Sequence, residues 1–141
     1  TEAFIKNHPV TNQDKESLMK AIDSEIKAAI KSISQFSVEN IFAVAGTPTT
    51  LAQIVLGDYT DSKINGYELS VTAMDNLITK LKNRSVSQRI DEMGVPKGRA
   101  DIIFAGAVLL QTLVKTVNRE KIIVSTRGVR HGIVADYFLS Q

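Results

Sequence analysis

Two short, mostly apolar runs in this sequence each end at a glycine-containing turn that leads into a helical pattern. Residues 40–45 (NIFAVA) run into Gly46, and residues 122–125 (IIVS) run into a turn over residues 126–132. A run without polar alternation is typical of a strand covered on both faces, as in a parallel sheet. The sequence therefore predicts two parallel neighbouring strands in an α/β domain, with both turns at one edge of the sheet.

Helical periodicity dominates the rest of the chain. Apolar residues at steps of three or four predict a first helix from Asp14 to about Phe36, capped by Thr11 or Asn12, with an inward stripe of Leu18, Ile22, Ile26, Ile30 and Ile33. Further helices are predicted after Thr47, from Ser70 to about Asn83, from Ser85, over 102–117 and up to Leu139, with residues 58–66 as a surface connection. Two strands form too narrow a sheet for roughly five or six helices, so we expect sheet partners to be missing. Because missing partners leave a sheet edge uncovered, we also expect the isolated chain to self-associate, with a homo-dimer as one form.

Composition excludes several classes of function. Seventeen basic residues against fifteen acidic ones leave a net charge of +2, which is too weak a field for nucleic-acid binding. The absence of cysteine excludes disulfide and thiolate chemistry, and the apolar stretch 102–110 is too short to span a membrane. The N-terminus has no signal-peptide pattern, and the first residue is not Met. We therefore expect a cytoplasmic protein without nucleic-acid or membrane partners, and a sequence that begins partway through a longer or processed chain.

The first candidate site is the turn Gly46, Thr47, Pro48, Thr49 and Thr50. Free backbone N–H groups and the positive end of a helix dipole favour an anion there, and threonine hydroxyls can add donors. The alternative is plain capping, with Thr47 as N-cap and Pro48 at the first helical position.

Two more segments carry cations next to a helix start. Residues 94–101 (GVPKGRAD) contain Arg99, whose planar guanidinium suits phosphate oxygens but could equally pair with Asp101, for which a capping role is favoured. Residues 125–132 (STRGVRHG) contain Arg127 and Arg130, beside which His131 is interpreted as a helix-start residue without a ligand.

No complete catalytic set is visible in the sequence. It has no zinc-type pairing of histidines and no serine nucleophile motif, and Asp91 and Glu92 are adjacent, so they do not face each other on a helix. We therefore predict no catalytic residue in this chain.

Taken in order, residues 45–50 (AGTPTT), 94–106 (GVPKGRADIIFAG) and 125–132 resemble the exopolyphosphatase and guanosine pentaphosphate phosphohydrolase family, Ppx/GppA. The resemblance extends over nearly the whole chain. It implies the C-terminal part of the second domain of a two-domain, ribonuclease-H-like protein of the actin and sugar-kinase superfamily, with helices packed on a small sheet. The family's Asp-x-Gly-Ser and Asp-x-Gly-Gly-Gly-Ser loops do not occur in these 141 residues. The family's catalytic glutamate belongs to the N-terminal half, which is absent here.

The resemblance also implies a function and a set of contacts. It implies hydrolysis of terminal phosphoanhydride bonds in polyphosphate or in guanosine penta- or tetraphosphate, with a divalent metal, Mg²⁺, in the complete enzyme and no metal bound by this chain alone. It implies substrate contacts from Gly46, Thr47, Thr49 and Thr50, a phosphate contact from Arg99, and further contributions from Arg127 and Arg130. The family's acidic residue near the end is replaced here by His131. The alternative is a stand-alone module that binds phosphorylated nucleotides without catalysis.

Overall fold

The computed structural model describes residues 3–31 and 37–139. Its elements in chain order are α1 (Asn12–Lys31), β1 (Phe42–Val44), α2 (Gly46–Leu56), α3 (Asp61–Ile64), β2 (Glu68–Ser70), α4 (Val71–Lys82), α5 (Val86–Met93), a 3-10 turn (Lys97–Arg99), α6 (Ile103–Thr116), β3 (Lys121–Ser125) and α7 (Val129–Leu139). The predicted end of the first helix near Phe36, and with it Ile33, lies outside the described residues.

The sheet of the described part has the order β1-β3-β2. β1 and β3 are parallel, with Val44 opposite Ser125, which confirms the prediction of parallel neighbours whose turns follow the same edge. β2 pairs antiparallel with β3 and was not predicted. It has three residues, too few for an alternating pattern to be recognised in the sequence.

The prediction that the first strand is covered on both faces is wrong. Ala43 is buried, but Phe42 is 65% exposed and Val44 is 43% exposed. β1 is an edge strand of this sheet, and α2 packs on the face that carries Ala43. Among the described residues, nothing covers the opposite face of β1 to the same degree.

The core is built around α6, against which α1, α2 and α4 pack. Of the periodic residues of α1 and α4 that the sequence placed inward, Ile30 is only half-buried. The others are buried, and they are Leu18, Ile22, Ile26, Met74, Leu77, Ile78 and Leu81. The region 58–66 is more than a surface connection, because it contains α3, whose Ile64 is fully buried.

Side-chain caps fix three of the helix starts. The hydroxyl of Thr11 accepts a hydrogen bond from the backbone N–H of Asp14 at 3.0 Å, as predicted. Ser70 caps α4 in the same way, and Ser85 forms a capping box with Gln88 at the start of α5. Each such cap stabilises the fold by about 1 kcal/mol.

The start of α2 differs from the prediction of a Thr47 cap. The helix begins at Gly46, and its N-cap is Ala45, whose side chain can donate or accept no hydrogen bond. Ala45 has φ 76° and ψ −166°, a backbone conformation that is almost restricted to glycine. Pro48 is tolerated at the third helical position because the N–H that it lacks would have no partner within the helix.

No residue of α7 is buried. Its apolar side chains Val129, Ile133, Val134, Tyr137, Phe138 and Leu139 are all more than half exposed. An exposed apolar surface of this kind is typical of a surface that another part of a protein covers. None of the described helices combines the length and the hydropathy needed to cross a membrane.

We predict that Ala45→Gly stabilises the chain. The left-handed backbone of an alanine in this region costs about 1–3 kcal/mol, which exceeds the added chain entropy of glycine, about 0.5–1 kcal/mol. Thermal unfolding should show a gain of roughly 1 kcal/mol, or a few degrees in Tm. The same substitution in the exposed part of α1, Ala28→Gly, is the control and should destabilise. A loss of stability in Ala45→Gly would show that Ala45 carries no strain.

We also predict that the isolated chain self-associates through the open edge of β1. Its apparent mass in light scattering should rise with concentration, because unpaired strand groups and exposed apolar side chains favour strand pairing. Phe42→Lys should reduce association, since an edge lysine opposes pairing. Tyr59→Lys is the matched control, because Tyr59 is 64% exposed but lies outside the sheet. A monomer at all concentrations would contradict the prediction.

Candidate functional site

The turns that follow β1 and β3 lie at the same edge of the sheet, because the two strands are parallel and in register up to Val44 and Ser125. The first turn enters α2 at Gly46, and the second leads into α7. Two of the three candidate segments, the turns after β1 and β3, therefore start at the carboxyl ends of these strands.

The loop before α6 reaches the same edge through Arg99. A Cβ atom added to Gly46 would overlap the Nη1 atom of Arg99 and crowd the rest of its guanidinium. The Arg99 side chain therefore lies directly over the backbone of Gly46. This contact requires glycine at position 46 for steric reasons, although its φ is not in the left-handed region.

A second glycine brings α6 against the same turn. A Cβ atom on Gly106 would lie 2.8 Å from Cγ2 of Thr47 and 2.9 Å from its Oγ1. These distances are shorter than real side chains allow, so the side chain of Thr47 packs directly on the backbone of α6 at Gly106. Gly106 therefore permits this close contact.

Thr47 and Arg99 face a cavity of about 280 Å³. Its other lining residues are Gly46, Gly98, Ile102 and Ile103. No ion pair between described residues joins Arg99 to Asp101, so the structural pair considered for these two residues does not form. The capping role favoured for Asp101 is wrong, because α6 begins at Ile103 with Ile102 as N-cap.

Thr49 and Thr50 are not directed into this cavity. Thr49 is 8% exposed, and its hydroxyl donates to the carbonyl oxygens of Ala45 at 3.0 Å and Gly46 at 3.2 Å. Thr50 is 2% exposed. Both side chains lie below the turn, among the buried residues of α2.

Arg127 and Arg130 line a separate cavity of about 830 Å³. It also includes Asp61, Thr126, His131, Val134 and Ala135. A hydrogen bond joins the turn after β3 to Asn65, the residue that follows α3: the Oδ1 of Asn65 accepts from the N–H of Thr126 at 3.2 Å. The predicted site residues thus form two groups, Gly46 with Thr47 and Arg99, and Arg127 with Arg130.

Arg89 is a polar residue near the first cavity that the sequence analysis did not select. It is fully buried beneath the loop that carries Arg99. One signal could have revealed it: Val86, Arg89, Ile90 and Met93 occupy the spacing of an apolar helix face, on which arginine is unexpected.

The described residues contain no group of three or more His, Asp or Glu side chains that could hold a metal ion. The described lining of the first cavity has one cation, Arg99, and no carboxylate. That of the second has Arg127, Arg130 and one carboxylate, that of Asp61, so both linings suit an anion better than a metal ion. The Mg²⁺ that the resemblance implies for the complete enzyme stays a prediction.

Comparisons with known proteins agree on one family. The model of the Ppx/GppA phosphatase family matches residues 1–141. A solved Ppx/GppA family member from Aquifex aeolicus has a TM-score of 0.90 at 24% identity, covering 99% of this chain and 45% of that one. An exopolyphosphatase from Cytophaga hutchinsonii ATCC 33406 has a TM-score of 0.85 at 21% identity, covering 99% and 46%. An exopolyphosphatase-like protein has a TM-score of 0.89 at 23% identity, covering 99% and 47%.

No curated protein matches the chain. The chain spans less than half the length of the solved structures that it resembles. These structures show the fold, a mixed α/β domain of the actin-like type, and the family model covers the full sequence. The chain belongs to the Ppx/GppA phosphatase family.

Proposed function

We propose that this chain supplies the phosphate-binding part of a Ppx/GppA-type hydrolase that cleaves terminal phosphoanhydride bonds. The observation that carries the proposal is the position of the Arg99 guanidinium over Gly46, where α2 begins and Thr47 lines the same cavity. Family membership supports the reaction class, a phosphatase. Polyphosphate and guanosine penta- or tetraphosphate are the proposed substrates.

The chemistry of this corner suits a phosphate oxyanion. The first N–H groups of α2 have no partner within the helix, and the helix dipole adds partial positive charge there. A guanidinium can donate two parallel hydrogen bonds to phosphate oxygens, and Thr47, which lines the same cavity, has a hydroxyl that can add a third donor. Three types of donor would then be available to one phosphate group.

The second cationic group favours a substrate with several phosphates. Arg127 and Arg130 follow β3, whose end lies beside the end of β1. An extended polyanion that binds at Arg99 could continue along this edge of the sheet to these arginines. A single phosphate would need only one of the two cavities.

Hydrolysis requires more than this chain offers. Phosphoryl transfer depends on a positioned water molecule and on stabilisation of charge in the transition state. The resemblance places the water-positioning glutamate in an N-terminal half of the protein, which we propose as the partner that completes the cleft. The exposed apolar side chains of α7 and the open face of β1 offer surfaces on which such a partner can pack.

We predict that Arg99→Lys weakens the binding of tripolyphosphate to this chain by about 1–3 kcal/mol, because an ammonium cannot reproduce the paired hydrogen bonds of a guanidinium. Isothermal titration calorimetry measures the Kd, and thermal unfolding should show little change in stability. Arg84→Lys is the matched control, because Arg84 pairs with Glu92 and lines neither of the two cavities. This variant should bind tripolyphosphate as the unsubstituted chain does. A lower Tm with unchanged affinity in Arg99→Lys would assign Arg99 a structural role.

We predict that the purified 141-residue chain releases no phosphate from tripolyphosphate or guanosine pentaphosphate above background, with Mg²⁺ present. Adding the N-terminal half of a family member, or joining it to the chain, should restore release. Phosphate release by the chain alone that disappears in Arg99→Lys would contradict the division of labour proposed here. Failure of any completed protein to hydrolyse either compound, with binding intact, would favour the stand-alone binding module.

A further inference from the structure

Arg89 is a buried cation whose acceptors are backbone carbonyl groups. It lies in α5 and has no exposed surface. Its Nε and Nη2 atoms donate to the carbonyl oxygen of Leu81 at 3.0 and 2.8 Å, and its Nη1 atom donates to the carbonyl oxygen of Ala100 at 2.8 Å. None of the ion pairs between described residues includes Arg89.

The electrostatic environment of Arg89 is unfavourable for a charge. Burial lowers the pKa of its guanidinium, and the nearby carboxylate of Asp101 only partly opposes that shift. Burial, and then Arg89 itself, lower the pKa of His8, so the imidazole adds no second positive charge near neutral pH. Burying a charged group costs free energy unless hydrogen bonds compensate for the lost hydration. The bonds from Arg89 to the two backbone carbonyl groups provide that compensation.

The hydrogen bonds of Arg89 close the loop that carries Arg99. At the start of the loop, the N–H of Val95 donates to the carbonyl oxygen of Arg89 at 3.1 Å. At its end, the guanidinium of the same residue donates to the carbonyl oxygen of Ala100. Val95 and Ala100 are buried, whereas residues 96–98 between them are exposed. One residue thus holds both ends of an otherwise exposed segment.

We propose that Arg89 is a positioning residue that fixes the loop of residues 95–100 so that the Arg99 guanidinium lies over Gly46. Arg99 directly precedes the carbonyl that Arg89 binds, and its own carbonyl accepts from the N–H of Ile102 at 3.1 Å. The position of the Arg99 side chain therefore depends on a backbone that the hydrogen bond from Arg89 to Ala100 fixes. The proposal rests on the proposed function, because it concerns the presentation of Arg99 to phosphate.

Two substitutions separate this role from general stability. Arg89→Met replaces the aliphatic part of the arginine side chain by an unbranched apolar one and removes all hydrogen-bond donors. Arg89→Lys keeps the charge, but one ammonium cannot donate to Leu81 and Ala100 in the geometry of the guanidinium fork. Leu18→Ala is the control: it removes core packing in α1, lowers stability and leaves the loop unchanged.

The test measures tripolyphosphate Kd at a temperature at which circular dichroism shows every variant to be folded. We expect Arg89→Met to bind tripolyphosphate about tenfold more weakly, because a misaligned Arg99 guanidinium makes weaker hydrogen bonds to phosphate. In the Arg99→Lys background, Arg89→Met should cause no further loss, because a positioning residue acts only through the residue that it positions. Arg89→Lys should lie between Arg89→Met and the unsubstituted chain, and Leu18→Ala should bind normally.

The outcomes distinguish this inference from the proposed function. If Arg99→Lys weakens binding but Arg89→Met does not, or if the two losses add, Arg89 does not position Arg99. If Arg99→Lys has no effect, the proposed function itself fails. Should both Arg89 variants fail to fold, hydrogen exchange of the unsubstituted chain decides: the amides of Arg99 and Ile102 should open together with those of α5, and faster independent opening would overturn the inference.

Discussion

The close approach of the start of α2 to the segment that enters α6 is the contact on which the candidate site depends. Gly46 leaves room for the guanidinium of Arg99, and Gly106 leaves room for the side chain of Thr47. A side chain at position 46 would displace the guanidinium of Arg99, and one at position 106 would displace the side chain of Thr47. Because α6 is also the helix against which α1 and α4 pack, the hydrophobic core and the site share one element.

Patterns that repeat along the chain predicted most of the fold. The inward residues of α1 and α4 and the caps at Thr11 and Ser70 follow from local spacing and from the chemistry of helix ends. Such features depend on neighbours in the sequence, so one sequence contains the information needed to find them. The meeting of the Gly46 turn with the turn after β3 at one edge follows from parallel pairing alone.

Features that depend on partners distant in sequence could not be predicted in this way. The exposed face of Phe42 and Val44 depends on what covers the sheet, which the apolar character of the strand does not specify. The hydroxyl of Thr49 was grouped with those of the turn, but helical geometry directs it to the carbonyls of the preceding turn. Arg89 carries no functional motif, and its role is visible only once Leu81 and Ala100 are seen to share one guanidinium.

The two edges of the sheet differ in a way that limits assembly. Both edge strands, β1 and β2, have three residues, but at β2 the side chain of Glu68 pairs with Lys121 at 2.7 Å. Charged side chains on an edge strand oppose further pairing, whereas β1 exposes apolar side chains. A contact between two β1 strands would use the same surface on both copies, and only the charged β2 strands would then remain as sheet edges. Such a pair would be a closed unit, so association through β1 would stop at two chains and would not continue into a fibre.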